Sequence, residues 1–407
     1  MSDPARPSVP ARAAIVVAIV QALFVTCWTT YVVFLPRLLE SAGLPAAWTP
    51  WILVLDQLVF MVADVASGVW ADRVQRTLGR IGPLVVGWTM VSCLAFLLLP
   101  HVVLLGSAAP VLALGLILVW ATTSSALRAP PWALLGKYAA RPALPWLNSL
   151  TLLGLAAGGA IAPFLGVVLK NVDPRLPFAL SSLALLAATA AIVHVERSLA
   201  HRPAAPATPA QAPRVLTAHH AAWLLGILLL AAAFQTHFSL NAAAQFLRFA
   251  RPADLEWLLP LFWVGFGAAM VPGSALCRRH GALPVMAAAA LLGAGGALAA
   301  AGAASLGVLI VAQLVAGGAW GGMLVAIFSS AADLGRSGRE GLALGTMFAM
   351  LALATIVRIG AVLAGVPKDA ALAPLLAWAP VGLWLAGGGL VAVLAWRARP
   401  SSAPAAA

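Results

Sequence analysis

The chain has 407 residues, 62% of them hydrophobic and only 9% charged, with a formal net charge of +12. Soluble domains carry about 25% charged residues, so this composition excludes a soluble fold. The apolar runs are continuous rather than alternating, which excludes barrel strands, and the Lys and Arg residues collect in short segments between those runs, which argues against a nucleic-acid footprint.

A helix needs roughly 20 apolar residues to cross the hydrocarbon core. On that measure the sequence predicts twelve spans, at 13–36, 49–71, 83–105, 108–127, 145–169, 176–195, 218–240, 255–276, 283–303, 305–328, 341–366 and 371–396. The chain therefore reads as an all-α membrane protein with twelve transmembrane helices. Pro163 interrupts the fifth span and predicts a kink there. The segment 196–217, ERSLAHRPAAPATPAQAPRVLT, is Pro- and Ala-rich, basic and without periodicity. It reads as a flexible linker and divides the spans six and six, into 1–195 and 218–407. With the N-terminus inside, seventeen Lys and Arg residues fall on the inner side and six on the outer. Basic residues gather in cytoplasmic loops, so both termini are assigned to the cytoplasm. The first apolar run lacks a following small-residue cleavage site and reads as a retained helix.

No cofactor, metal or enzymatic reaction is expected. Cys27, Cys93 and Cys277 form no CxxC pair, so neither a disulfide framework nor a zinc site is indicated. There is no phosphate-binding GxxxxGK[ST] loop, and no nucleophile–base pair falls at one depth.

Charges inside the membrane are costly and usually functional. Asp56, Asp64 and Arg358 lie well inside predicted spans. Asp56 is about 24 Å above Asp72 on the second helix, and Arg358 about 27 Å above Glu340 on the eleventh. The two charges are thus expected at similar depth. Asp64, about 12 Å below Asp56, suits a proton carrier or, given further oxygen ligands, a cation site. Amides, an imidazole and aromatic faces collect in spans expected to line a cavity: Trp28 and Tyr31, Trp120, Gln235, His237 and Asn241, and Gln313. Such groups suit a neutral polar solute such as a sugar.

A short basic hinge follows the second span: Asp72-Arg73, then Gly79-Arg80 and Pro83. A reduced echo, Arg278-Arg279-His280-Gly281 with Pro284, follows the eighth. Gly68 permits close helix approach. Asp72 can pair with Arg73 or Arg80, or meet the N-terminus of a facing helix, a contact able to hold one conformation of a rocking bundle and release in the other.

Three segments carry a resemblance: Asp64-Val-Ala-Ser-Gly68 running on to the hinge; Ala129-Pro130-Pro131-Trp132-Ala133-Leu134-Leu135 with Leu147-Asn148-Ser149; and Ala332-Asp333 with Gly338-Arg339-Glu340-Gly341. Their order and position resemble major facilitator carriers, and within them the glycoside–pentoside–hexuronide cation symporters, the melibiose permease type. The resemblance implies two six-helix pseudo-repeat bundles, second and eleventh helices facing across the bundles, and gating contacts among Gly68, Asp72, Arg73, Gly79, Arg80, Asp333, Arg339 and Glu340. With those helices facing, the equal depth of Asp56 and Arg358 leads to the expectation that they pair across the seam, to close an outer gate or to hold a proton or cation. The chain departs from the family where a second intramembrane Asp is replaced by Phe60, where Lys137 and Tyr138 follow the Pro-aromatic segment, and where Arg358 lies deeper than the family's Lys.

The expectation is therefore a secondary transporter in a bacterial inner membrane, working as a monomer in the lipid bilayer without nucleic acid. Its partners would be a small-molecule solute, a sugar or glycoside first, and a coupling cation, H+ or Na+. The alternatives are a proton-driven exporter of amphipathic compounds and a non-transporting membrane scaffold.

Overall fold

The computed structural model describes residues 11–77, 80–138, 143–200, 217–335 and 338–398. Gly79 of the hinge and 201–216 of the linker lie outside them. The described residues form helices and turns without a strand, as backbone in hydrocarbon must when no barrel closes.

The first six crossings are built from α1 (Ala11–Ser41), α2 (Thr49–Thr77), α3 (Gly82–Leu98), α4 (Ala109–Ser124) with α5 (Ala129–Tyr138), α6 (Leu144–Val168) and α7 (Arg175–Ala200). The last six are built from α8 (Ala218–Phe234) with α9 (Ala243–Phe246), from α10 (Leu255–Leu258) with α11 (Pro260–Ala268) and α12 (Met270–His280), and from α13 (Ala282–Ala301), α14 (Leu306–Gly335), α15 (Glu340–Leu363) and α16 (Ala373–Arg397). Among the described residues eleven segments are long and apolar enough to cross a membrane, and one of these, Gly82–Gly136, runs 55 residues. It reverses at Gly106, whose φ of 55° and ψ of −124° break the helix at little cost because glycine lacks a Cβ. That segment makes two passes, so the crossings number twelve.

The fourth crossing departs from expectation. It does not end at 127. A 3-10 turn over Ser125–Leu127 leads to Arg128, with φ −96° and ψ −84°, and α5 then carries the helix on to Tyr138. Pro130 and Pro131 fall in the first turn of α5, where missing N–H groups break no helical bond. Arg128 is thereby drawn about 15 Å from the end of its crossing.

One apolar core gathers Tyr31, Phe34, Phe96, Trp120 and Phe178 from the first six crossings. A second gathers Trp223, Phe262, Phe266, Trp320 and Trp384 from the last six. The outside is as apolar as the inside: Val111 is 75% exposed and Leu104 72%. Such a surface is stable only against lipid, and the chain is a multi-pass membrane protein.

Candidate functional site

α2 and α15 run antiparallel, and glycines set their register. A Cβ on Gly68 would collide with the Gly341 carbonyl, and one on Gly345 with the Asp64 carbonyl. The backbones therefore touch from 68·341 to 64·345. At the end of this seam nearest the linker, the Asp72 carboxylate meets the start of α15. Its Oδ1 accepts from the Gly341 N–H at 2.8 Å and its Oδ2 from the Leu342 N–H at 2.9 Å. The first N–H groups of a helix lack partners within the helix and carry the positive end of its dipole, so a carboxylate supplied by another helix satisfies both. Other contacts between the first and last six crossings lie toward the same face. Asn148 Nδ2 donates to Ser329 Oγ at 3.2 Å, Ser149 Oγ to the Met270 carbonyl at 2.9 Å, and Trp132 lies with its ring 3.9 Å from that of Phe328. Farther from the linker the halves meet through apolar rings such as Phe164 and Trp257. Arg73 and Arg80 are exposed, Asp333 is exposed at the end of α14, and Arg339 and Glu340 are half-buried where α15 begins.

This register corrects the expected Asp56–Arg358 pair. Position 56 falls level with 353, so Arg358 lies five residues farther out, about 7.5 Å at about 1.5 Å per residue. The expectation aligned Asp72 with Glu340, whereas Asp72 reaches up to Gly341 from a turn below. No ion pair joins Asp56 and Arg358. Asp56 is fully buried and accepts the Tyr31 hydroxyl on Oδ2 at 2.8 Å. Its Oδ1 and the Nε of Arg358 are each buried without a hydrogen-bond partner.

Asp64 has a partner that the sequence did not announce. Arg128 Nη2 lies 3.4 Å from Asp64 Oδ2. The guanidinium also sits over the ring of Phe60 at 4.8 Å and that of Phe348 at 5.0 Å, one ring from each half of the molecule.

The solute candidates divide by burial. Tyr31 and Trp120 pack into the first core with ring centroids 4.6 Å apart, and Trp28 stacks on Trp120 at 5.7 Å while remaining partly open. In the last six crossings, residues Gln235–Ala242 form a π-helical stretch between α8 and α9, a rare winding often found at functional positions. It turns Gln235 toward Thr355 of α15, with Nε2 to Oγ1 at 2.8 Å. His237 Nε2 lies 3.1 Å from Gln313 Oε1, and Gln313 donates to Gln245 Oε1 at 3.2 Å. Asn241 donates to the Leu376 carbonyl at 2.7 Å. His237 and Gln313 are thus buried in one polar chain with Gln245, and Asn241 is buried against α16, while Trp28 and Gln235 keep surface free.

No sequence-family model matches the chain, and no curated protein sequence matches it at a significant level. Solved structures do. A bacterial homologue of the iron transporter ferroportin, in its outward-facing state, aligns with TM-score 0.71 and 16% identity over 95% of this chain and 100% of that one. The proton:xylose symporter XylE aligns with TM-score 0.69 and 13% identity over 96% of each chain. The E. coli fucose:proton symporter FucP aligns with TM-score 0.67 and 14% identity over 97% and 100%. The chain has the major facilitator fold. In this fold the α2–α15 seam joins the second crossing to the eleventh, and Arg128 belongs to the interior of the fourth.

Two charged residues inside the structure escaped sequence reasoning. Arg128 lies just past the predicted span 108–127 and counts there among the inner-side basic residues. Glu196 was assigned to the linker, yet it is 1% exposed and accepts the N–H groups of Ile81 and Gly82 at 2.6 and 2.7 Å, capping α3 from the end of α7. Charge-assisted bonds of this kind contribute about 1.5–3 kcal/mol. Glu196→Ala should lower the thermal unfolding temperature of the detergent-solubilised protein by several degrees, while Glu196→Gln, which keeps one acceptor, should lose less. Equal melting of both variants and the wild type would remove this cap from the account.

Proposed function

We propose that the chain is a secondary active transporter of the bacterial inner membrane, moving a small polar solute, a sugar or glycoside first, by alternating access with H+ as the coupling cation. The two bodies that rock are the first six crossings and the last six, with both termini and the segment that joins the halves in the cytoplasm. The observation that carries this reading is the concentration of polar cross-contacts at the linker face, led by Asp72 on the start of α15. Such contacts close one side of a seam without covalent ties and can be exchanged for contacts on the other side. FucP and XylE, which share the fold, are proton symporters of sugars.

Asp56 is the proposed proton carrier. It is fully buried, one oxygen is held by Tyr31, and the other is unpartnered, which leaves a position for a proton on a group already oriented by its neighbour. The Trp28 face and Gln235 amide are the proposed solute contacts. In proteoliposomes with an imposed pH gradient and a panel of sugars, one sugar should accumulate. Asp56→Asn should reduce gradient-driven accumulation toward the level without a gradient, while exchange of labelled for unlabelled sugar persists. Undiminished accumulation by Asp56→Asn would rule out the coupling role.

A second reading rests on one observation. A lateral apolar groove of about 730 Å³ opens between α2, α3 and α4, lined by Leu58, Val62, Trp70 and Trp88, with Ser67 and Thr122 as its polar members. An exporter of amphipathic compounds would use such an entrance from the bilayer. Failure of every sugar, with proton-driven efflux of an amphipathic dye, would favour it.

A further inference from the structure

Asp64 is the only acid in contact with the Arg128 guanidinium at ion-pair distance among the described residues, and neither Asp64 oxygen has a hydrogen-bond partner. Ser67, one turn on, donates to the backbone carbonyl of Asp64 rather than to its carboxylate. The guanidinium itself is flanked by rings, Phe60 from α2 on one side and Phe348 from α15 on the other, and the one hydroxyl beside the Asp64 carboxylate among the described residues is that of Ser125, buried and outside hydrogen-bond geometry. Among the described residues no group of three or more His, Cys, Asp or Glu side chains converges to hold an ion. A free hard cation needs several oxygen ligands to replace its water. A guanidinium is weakly hydrated and stacks on rings. One carboxylate and one hydroxyl fall short of such a shell, whereas the two flanking rings suit the second kind of cation.

We propose that Arg128 is a built-in cation that occupies the Asp64 site, so that the protein takes no sodium there and Asp64 becomes a cation site only when the Arg128 side chain is removed. Arg128 is thus the residue that determines ion selectivity at Asp64. The ring of Phe348 comes from the opposite half of the molecule, so the guanidinium also ties the filled site to the closed seam. This inference rests on the transporter reading only for its consequence, that a sodium gradient drives nothing through Asp64. The occupancy itself is measured by binding, without transport.

The test is thermal unfolding of the purified full chain in detergent. A ligand that binds the folded state raises its melting temperature by mass action. Wild type should melt at the same temperature in sodium chloride and in choline chloride. Arg128→Ala should gain a saturable rise of several degrees with methylguanidinium chloride, and a smaller one with sodium. The double variant Asp64→Asn with Arg128→Ala carries no buried charge at the site, should fold, and should respond to neither salt. Arg128→Lys should stay silent toward sodium, as the wild type does. A sodium-dependent rise in the wild type that Asp64→Asn abolishes would overturn the proposal and leave the transporter reading standing. So would an Arg128→Ala protein that folds and ignores both cations. Where Arg128→Ala does not survive extraction, the wild type and Arg128→Lys decide, since a sodium response in either overturns it.

Discussion

Gly68→Leu should abolish transport while leaving a folded, membrane-inserted protein. At this position α2 and α15 are in backbone contact, and a Cβ would collide with the Gly341 carbonyl. Overpacking a core with flexible side chains costs about 1–3 kcal/mol. Here the obstacle is main chain, which cannot rotate aside, so the linker-side seam opens instead. A penalty of about 2.8 kcal/mol on the closed form alone shifts its population about 100-fold, and uptake should fall on that order. The shift is visible without a substrate. A cysteine at Asn148 or Ser329, which bond each other in the closed seam, should be modified slowly by a thiol reagent in the wild-type background and rapidly in Gly68→Leu. The native Cys27, Cys93 and Cys277 are buried. Gly295→Leu is the control, since nothing lies within 4 Å of a Cβ there. Transport at the wild-type rate by Gly68→Leu would mean that this contact does not belong to the cycle.

The crossings were legible because hydropathy alone sets them. A continuous apolar run in lipid that closes no barrel must be helical, and the predicted spans begin within two residues of the helices, although helices such as α2 and α14 run six or seven residues past the predicted ends. The bend before Pro130-Pro131 is the instructive failure. Local chemistry says that prolines end a helix, and it does end there, but a new one starts at once and carries the crossing on to Tyr138. Arg128 therefore falls outside the predicted span 108–127 although it belongs to the crossing. The depth estimate for Asp56 and Arg358 failed for a different reason. Rise per residue is a property of one helix and was used correctly, whereas register between helices is set by which residues permit backbone contact. Gly68, Gly341 and Gly345 fix it, and only their pairing, which spans 273 positions of sequence between 68 and 341, locates Arg358 beyond Asp56. Burial among the solute candidates is a tertiary property too. His237 and Gln313 read as cavity groups by type, but they satisfy each other inside the last six crossings, and nothing in their local sequence distinguishes them from Gln235, which faces α15.

Asp72→Ala should weaken the same closed seam by a purely electrostatic route, and comparison with Asp72→Asn separates charge from hydrogen bonding. The wild-type carboxylate satisfies two N–H groups at the start of α15 at once, at 2.8 and 2.9 Å. Bonds to a charged acceptor contribute about 1.5–3 kcal/mol each, and the helix dipole adds about 0.3–1 kcal/mol for a negative charge at an N-terminus. Alanine removes all of it and leaves both N–H groups facing a gap, so the closed form should lose about 3–7 kcal/mol, or a few hundredfold or more in population. Asparagine keeps one carbonyl acceptor and should fall between. The fold of each half does not depend on this bond, so the melting temperature should change little while thiol labelling at position 148 or 329 accelerates in the order wild type, Asn, Ala. Uptake should decline in the same order. The alternative is that Asp72 only finishes a helix end. In that case the two variants would melt earlier and label no faster, because water would replace the carboxylate at the Gly341 and Leu342 N–H groups without opening the seam.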